Sequence, residues 1–346
     1  MLKINPENLE SLRRLMDGEP RKVVIVGHTN PDGDAIGSML AWGAIVEGRG
    51  HRVSYIVPNQ FPSFLAWMDP GHKITVYKTQ TSKAAGEIAG AEVIFCMDFN
   101  QIGRLEAVGE LIEGNTGATK ILIDHHLEPP AIYDLAFSYP EASSTSYIVF
   151  NLIDKLYGTQ AITQPIASAI YVGMMTDTGN FSFGNLTPGL YRALATLAGK
   201  KIDIPQIHNN VYNSYSDERM RLLGYVLGEK MQIIKLRQVA YITLTEEEMR
   251  QFNFKVGDNE GFVNYPLIIK GMRMSAMFTQ NSKFIRVSLR SRGDLDVNLF
   301  ARRYFDGGGH KNASGGKSHL TMEQTVEKFR AAVEEFFSKD SKYKEQ

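Results

Sequence analysis

The chain has 346 residues, with 38 basic and 38 acidic side chains and 43% hydrophobic residues. That length exceeds one ordinary core and suits two domains. Zero net charge argues against a protein that coats long nucleic acid through charge alone, because such binders are usually basic, but leaves room for a locally basic cleft holding a short anion.

At the start, Asn5-Pro6 followed by Leu9, Leu12 and Leu15 reads as an N-capped amphipathic helix with Pro in its first turn, not as a signal peptide. No apolar stretch is long enough to span a membrane, so a cytoplasmic protein with no membrane partner is expected. Three apolar runs, Val23–Val26, Val93–Met97 and Ile121–Ile123, read as buried strands separated by helical stretches. This alternation predicts an α/β fold: an N-terminal, doubly wound, mainly parallel sheet covered on both faces. Cys96, the only cysteine, lies within the second run, where a buried inert thiol is expected, and its solitude excludes disulfides and thiolate zinc sites. Helices are expected over about 144–156 and 166–175.

Near 200–212 the periodicity breaks at Pro205, Asn209 and Asn210, and a connecting helix is expected over about 216–228. Strand-like runs follow at 239–242, 274–278 and 284–289, then a helix near 297–304, a glycine-rich loop, and a terminal helix from about Met322 with Thr321 and Gln324 as a capping box. The expected division is a first domain over 1–200, a linker with a connecting helix over 201–230, and a smaller α/β domain over 231–346.

Chemistry concentrates where strands end. The first run is followed by His28, Asp32 and Asp34, the second by Asp98, the third by Asp124, His125 and His126; the helix over 166–175 is followed by Asp177. Ligands bind at the carboxyl edge of a parallel sheet, so these clusters should converge. Any one alone would mean little, since Asp after a strand usually caps a helix, and Asp34 is placed to cap the next one. Together they cannot all stay ionised without counter-charge. Four aspartates (Asp32, Asp34, Asp98, Asp177) with two histidines (His28, His125) balance two divalent ions. Oxygen and imidazole donors without sulfur suit manganese, with magnesium, cobalt or iron as alternatives.

These clusters, here HTNPDGD, FCMDF, IDHH and TDTGNF, resemble the four motifs of the DHH phosphoesterase superfamily. The stretch SLRSRGDLDVNLFARRYFDGGGHKNASGG at 288–316 is similar to the DHH-associated C-terminal domain, and the nearest resemblance is to the NrnA-like group of oligoribonucleases and 3′-phosphoadenosine 5′-phosphate (pAp) phosphatases, also called exopolyphosphatase-related. The resemblance implies an active site in the cleft between the two domains. It assigns His28 and Asp32 to one metal and Asp34, His125 and Asp177 to the other, with Asp98 bridging. His126 is implied to face the scissile phosphate, and Asp124 to hold a histidine tautomer. The implied substrates are short single-stranded RNA and small phosphorylated nucleotides, and the resemblance allows a homodimer. Alternatives are an exopolyphosphatase or pyrophosphatase, a cyclic-dinucleotide phosphodiesterase, and a nucleotide sensor without turnover.

Substrate grip is expected from Gly307, Gly308, Gly309 and His310, read as a loop whose amides form an anion nest, and from Arg290 with Arg292 on one strand face. Asp306 departs from the family pattern, which commonly has Gly there. Arg104 matches a family arginine thought to reach substrate. Ser143, Ser144 and Thr145 resemble a family helix start, with Tyr147 where an acid is usual, and are read as capping and packing. His51, His72, His208 and His319 are expected at the surface, and Phe181, Tyr212 and Tyr215 in packing.

Overall fold

The computed structural model describes residues 2–339, apart from the side chains of Arg104 and Lys339. The chain divides into two compact units, Met1–Ser214 and Tyr215–Gln346. Among the described residues no helix is long and apolar enough to cross a membrane.

The first unit contains strands β1 (Lys22–Val26), β2 (Arg52–Val57), β3 (Ile74–Val76), β4 (Val93–Met97), β5 (Thr119–Asp124) and β6 (Leu135–Ser138). They form one sheet, order β3-β2-β1-β4-β5-β6, in which every pairing is parallel. Its helices are α1 (Pro6–Met16), α2 (Gly33–Gly48), α3 (Thr81–Ala89), α4 (Ala107–Gly114), α5 (Thr145–Tyr157), α6 (Gln164–Asp177), α7 (Pro188–Ala198) and α8 (Ile204–Tyr212). Strand alternation sends Val23, Ile25, Phe95 and Met97 into a core shared with α2, α5 and α6, while Val24, Val26, Ile94 and Cys96 pack with Ala84, Ile88, Val108 and Ile112 from α3 and α4. The sheet is therefore covered on both faces. Full burial is worth roughly 1.5–3 kcal/mol per large apolar side chain, so β1 and β4 anchor the unit from both sides.

α1 begins as the sequence suggests, with the Asn5 side chain accepting from the amides of Glu7 and Asn8 and Pro6 in the first turn. His51 is a correction. It is buried, with Nδ1 accepting from the Arg21 amide at 3.1 Å and Nε2 3.0 Å from the Met16 carbonyl, so its polarity is satisfied inside. His208 is half-buried too, 3.1 Å from the Tyr171 hydroxyl.

The second unit runs α9 (Asp217–Tyr225), β7 (Gln232–Ile234), β8 (Val239–Leu244), α10 (Glu246–Gln251), β9 (Met274–Gln280), β10 (Ile285–Ser291), α11 (Val297–Tyr304), β11 (Gly308–His310), β12 (Ala313–Ser318) and α12 (Met322–Lys339). Its sheet, order β11-β12-β10-β9-β8-β7, is antiparallel except for β8 with β9. Phe278, Phe300, Phe305, Phe329 and Phe336 interlock in its core, with Phe300 and Phe336 edge-to-face at 5.3 Å. Thr321 and Gln324 form both halves of the capping box at the start of α12.

The glycine-rich segment is not a loop. β11 pairs with β12, Gly308 opposite Gly315 and His310 opposite Ala313. A side chain at Gly307 would collide with the Gly315 carbonyl, which explains that glycine without any ligand. Asp306 has φ +44° and is exposed, so it adopts a left-handed turn that glycine takes at no cost, and its carboxylate faces solvent.

Candidate metal centre

The path of the chain concentrates the site. From β1 the connections run outward through β2 and β3; from β4 they run the other way through β5 and β6. The crevice of such a sheet opens at the carboxyl ends of the two strands where the direction reverses. His28, Asp32 and Asp34 follow β1, Asp98 follows β4, and His125 follows β5. Asp177, the last residue of α6, reaches the same place from a helix end, not from a strand.

Two donor groups flank the Asp98 carboxylate, and a further one joins Asp98 to Asp124 and His126. His28, Asp32 and Asp98 each offer one atom within 4.8 Å of the others, and so do Asp34, His125 and Asp177. Asp98 stands between them: its Oδ2 is 3.4 Å from His28 Nε2 and its Oδ1 is 3.5 Å from His125 Nε2. His125 Nε2 is also 3.3 Å from Asp177 Oδ2. Both rings are set by the opposite nitrogen. His28 Nδ1 lies 2.9 Å from the Thr29 carbonyl and His125 Nδ1 3.3 Å from the Ala142 carbonyl. A carbonyl can only accept, so each Nδ1 carries hydrogen and each Nε2 can offer its lone pair.

It is Asp32, not Asp34, that caps α2, accepting from the amides of Asp34 and Ala35. Asp34 is buried and turns to another helix, accepting from the Thr145 amide at 2.6 Å and the Ser146 amide at 2.8 Å at the start of α5. Gly173 leaves room for it, since a Cβ there would lie 2.6 Å from Asp34 Oδ1. Thr145 also donates its hydroxyl to Asp98 Oδ1 at 2.9 Å. Reading 143–145 as capping and packing accounts for Ser144, which caps α5 through the Tyr147 amide, but misses these two contacts. They join residues 111 and 47 positions apart, so local sequence carries no signal of them.

The electrostatics of the metal-free cluster are those of a site short of positive charge. Burial, then the charges of Asp98 and Asp177, push the Asp34 carboxyl well above its usual range. Burial acts the same way on Asp98, but the His28 hydrogen bond and the charges of His28, His125 and His126 outweigh it and hold Asp98 below that range. Burial would lower the His125 ring, yet Asp98, Asp34 and Asp124 overcome it and raise it. Oxygen and imidazole donors, pre-oriented and crowded, fit divalent ions.

Beside this centre, fully buried Asp124 binds His126 twice: Oδ1 is 2.7 Å from Nδ1, and Oδ2 accepts the His126 amide at 3.0 Å. After Asp177, Gly179, Asn180 and Phe181 all have positive φ. Phe181 packs edge-on against Tyr171, while Phe183, which sequence reasoning did not single out, is 46% exposed with its ring over Gly179.

Within the second unit, Arg290 is half-buried on β10, with Nη1 donating to the Leu289 carbonyl, and Arg292 is exposed just past the strand. The Gly309 amide donates to Asn298 Oδ1 at 3.0 Å. That amide is engaged within the second unit, beside the Gly307 and Gly308 amides expected to face an anion. His310 ends β11. The Arg104 side chain falls outside the described residues.

Comparison with known proteins agrees with this architecture. Residues 22–174 match the DHH family, N-terminal domain, and residues 237–339 match the DHHA1 domain. A bifunctional oligoribonuclease and PAP phosphatase of Thermus thermophilus is 28% identical over 335 residues, covering 95% of this chain and 94% of the relative. Its namesake from Bacillus subtilis is 27% identical over 299 residues, covering 85% and 88%. The crystal structure of an exopolyphosphatase-related protein from Bacteroides fragilis superposes with a TM-score of 0.90 at 40% identity, over 97% of this chain and 98% of that one. The chain belongs to the DHH family.

Proposed function

We propose that this DHH-family phosphoesterase uses two divalent ions, manganese the best suited, to hydrolyse short oligoribonucleotides and the 3′-phosphate of pAp-like nucleotides. The observation that carries the reading is the placement of Asp98, with one oxygen facing each donor group. His28, Asp32 and Asp98 would hold one ion; Asp34, His125 and Asp177, with Asp98, the other. Ions held by these residues would supply an activated water and would offset charge building on the phosphoryl oxygens. The relatives named for oligoribonucleotides and PAP support the substrate class.

The chain's own groups divide the remaining work. Asp124 fixes His126 so that its Nε2 is the atom that exchanges protons, which suits it to protonate the departing oxygen. Arg290 and His310 are assigned to substrate phosphate, Arg290 as a permanently charged donor and His310 as a ring donor. Gly307, Gly308 and Gly309 would shape the hairpin that presents His310.

Hydrolysis of polyphosphate is the second reading, favoured by the likeness to the exopolyphosphatase-related protein. Parallel incubation with labelled dinucleotide, pAp, pyrophosphate and polyphosphate in manganese separates the two. Preferential turnover of dinucleotide and pAp is expected. Turnover of polyphosphate alone would replace the first reading with the second.

A further inference from the structure

Thr145 touches two carboxylates of the candidate centre through two different atoms. Its hydroxyl donates to Asp98 Oδ1 at 2.9 Å, and its amide donates to Asp34 Oδ2 at 2.6 Å. We propose that Thr145 is a positioning residue that fixes how Asp98 is shared between the two ions, tying it and Asp34 to the start of one helix.

The need for such an anchor follows from what a shared carboxylate must do. It has to present one oxygen to each ion, and rotation about its terminal bond is soft. Strand geometry does not fix that rotation in Asp98, which lies beyond the end of β4 with φ +64°. A hydroxyl bonded to Oδ1 does, because it leaves Oδ1 toward His125 and Oδ2 toward His28. Thr145 is itself fully buried and held in place. Ser144 already caps α5 through the Tyr147 amide, so the Thr145 hydroxyl is not needed to start the helix. The same helix start directs two amides at Asp34, at 2.6 and 2.8 Å.

This inference rests on Asp98 being a metal ligand, and the test separates the two. Thr145→Val keeps the shape and the amide but deletes the hydroxyl; Thr145→Ser keeps the hydroxyl and deletes the methyl. Manganese is titrated calorimetrically into the metal-stripped full-length protein, and kcat and KM are measured on a dinucleotide. Outer contacts to metal ligands are typically worth about 10–100-fold in affinity or activity. Thr145→Val should weaken manganese by that order and lower kcat with little change in KM, and Thr145→Ser should stay within about threefold of wild type. Should Thr145→Val lose its folded circular-dichroism spectrum, Thr145→Ala is titrated in its place. A wild-type isotherm in the folded hydroxyl-deleted variant overturns the proposal while leaving the metal centre intact. Equal losses in the Ser and Val variants would mean that packing, not the hydroxyl, matters. A wild-type protein that binds no manganese overturns this proposal and the two-metal reading together.

Discussion

Asp124 and His126 are bound to each other twice across two residues, side chain to ring at 2.7 Å and side chain to amide at 3.0 Å, with the carboxylate fully buried beneath. Such a pair sets ring tautomer and orientation together. Asp124→Asn can keep the amide contact but offers an ambiguous partner to Nδ1. It should lower kcat by about 10–100-fold with manganese stoichiometry unchanged. Lost metal alongside lost activity would instead make Asp124 part of the metal centre.

Asp98→Ala tests the bridge. Removing a carboxylate that faces both donor groups should abolish turnover on every substrate, while circular dichroism still reports a folded protein. Normal activity in this variant would end the two-metal assignment.

The acidic cluster makes a signed prediction about the metal-free form. Burial first, and then Asp98 and Asp177, raise the Asp34 carboxyl, so folding favours its protonated state. A raised group contributes stability below its unfolded value and loses it as pH rises through the folded one. Raised His125 has the same sign. Asp98 has the opposite sign, but its contribution is complete above the ordinary aspartate range and constant from there upward. In chelator, Tm should therefore fall as pH rises from about 5 to about 8, and manganese should reverse the fall. Asp34→Asn should flatten the metal-free profile. A wild-type Tm rising over that range in chelator would contradict the cluster's electrostatics.

How much could be read beforehand depended on burial and on distance along the chain. β1, β4 and β5 are covered on both faces, and such strands read as plain apolar runs. β2, with Arg52 exposed and Ser54 half-buried, and the short β3 and β6 gave no such run. The fold class and the acid clusters at strand ends were legible because turns after strands are local events. The strand order was not, because pairing β1 with β4 joins positions about seventy residues apart. His51 looked solvated for the same reason: its partners are 30 and 35 residues away. Gly307 and Gly309 also fit β11 closely against β12, a backbone demand that composition alone does not distinguish from a phosphate cradle.

His310→Ala and Arg290→Ala separate grip from chemistry. If these side chains hold substrate phosphate, each variant should raise KM strongly on a dinucleotide, with manganese stoichiometry at the wild-type value. A changed stoichiometry would show that the second unit contributes to the metal centre itself.

Substrate length is the sharpest consequence of the charge balance. With 38 acidic and 38 basic side chains the protein has no overall excess to build a long basic track. Phosphate contacts should then be few, and each one made by Lys or Arg adds roughly −0.7 to the logarithmic salt slope on single strands. A site holding about two to four phosphates would show a shallow slope that stops growing once it is filled. Accordingly kcat/KM should peak for RNA of about two to four nucleotides and fall for longer strands. The metal centre alone does not dictate this, because a metal pair held there would act on one phosphate whatever the length of chain behind it. Measuring kcat/KM against RNA length at fixed manganese and two salt concentrations decides the matter. Efficiency and salt slope that climb together out to about twenty nucleotides would require a basic surface path, and the enzyme would then be a long-strand exonuclease.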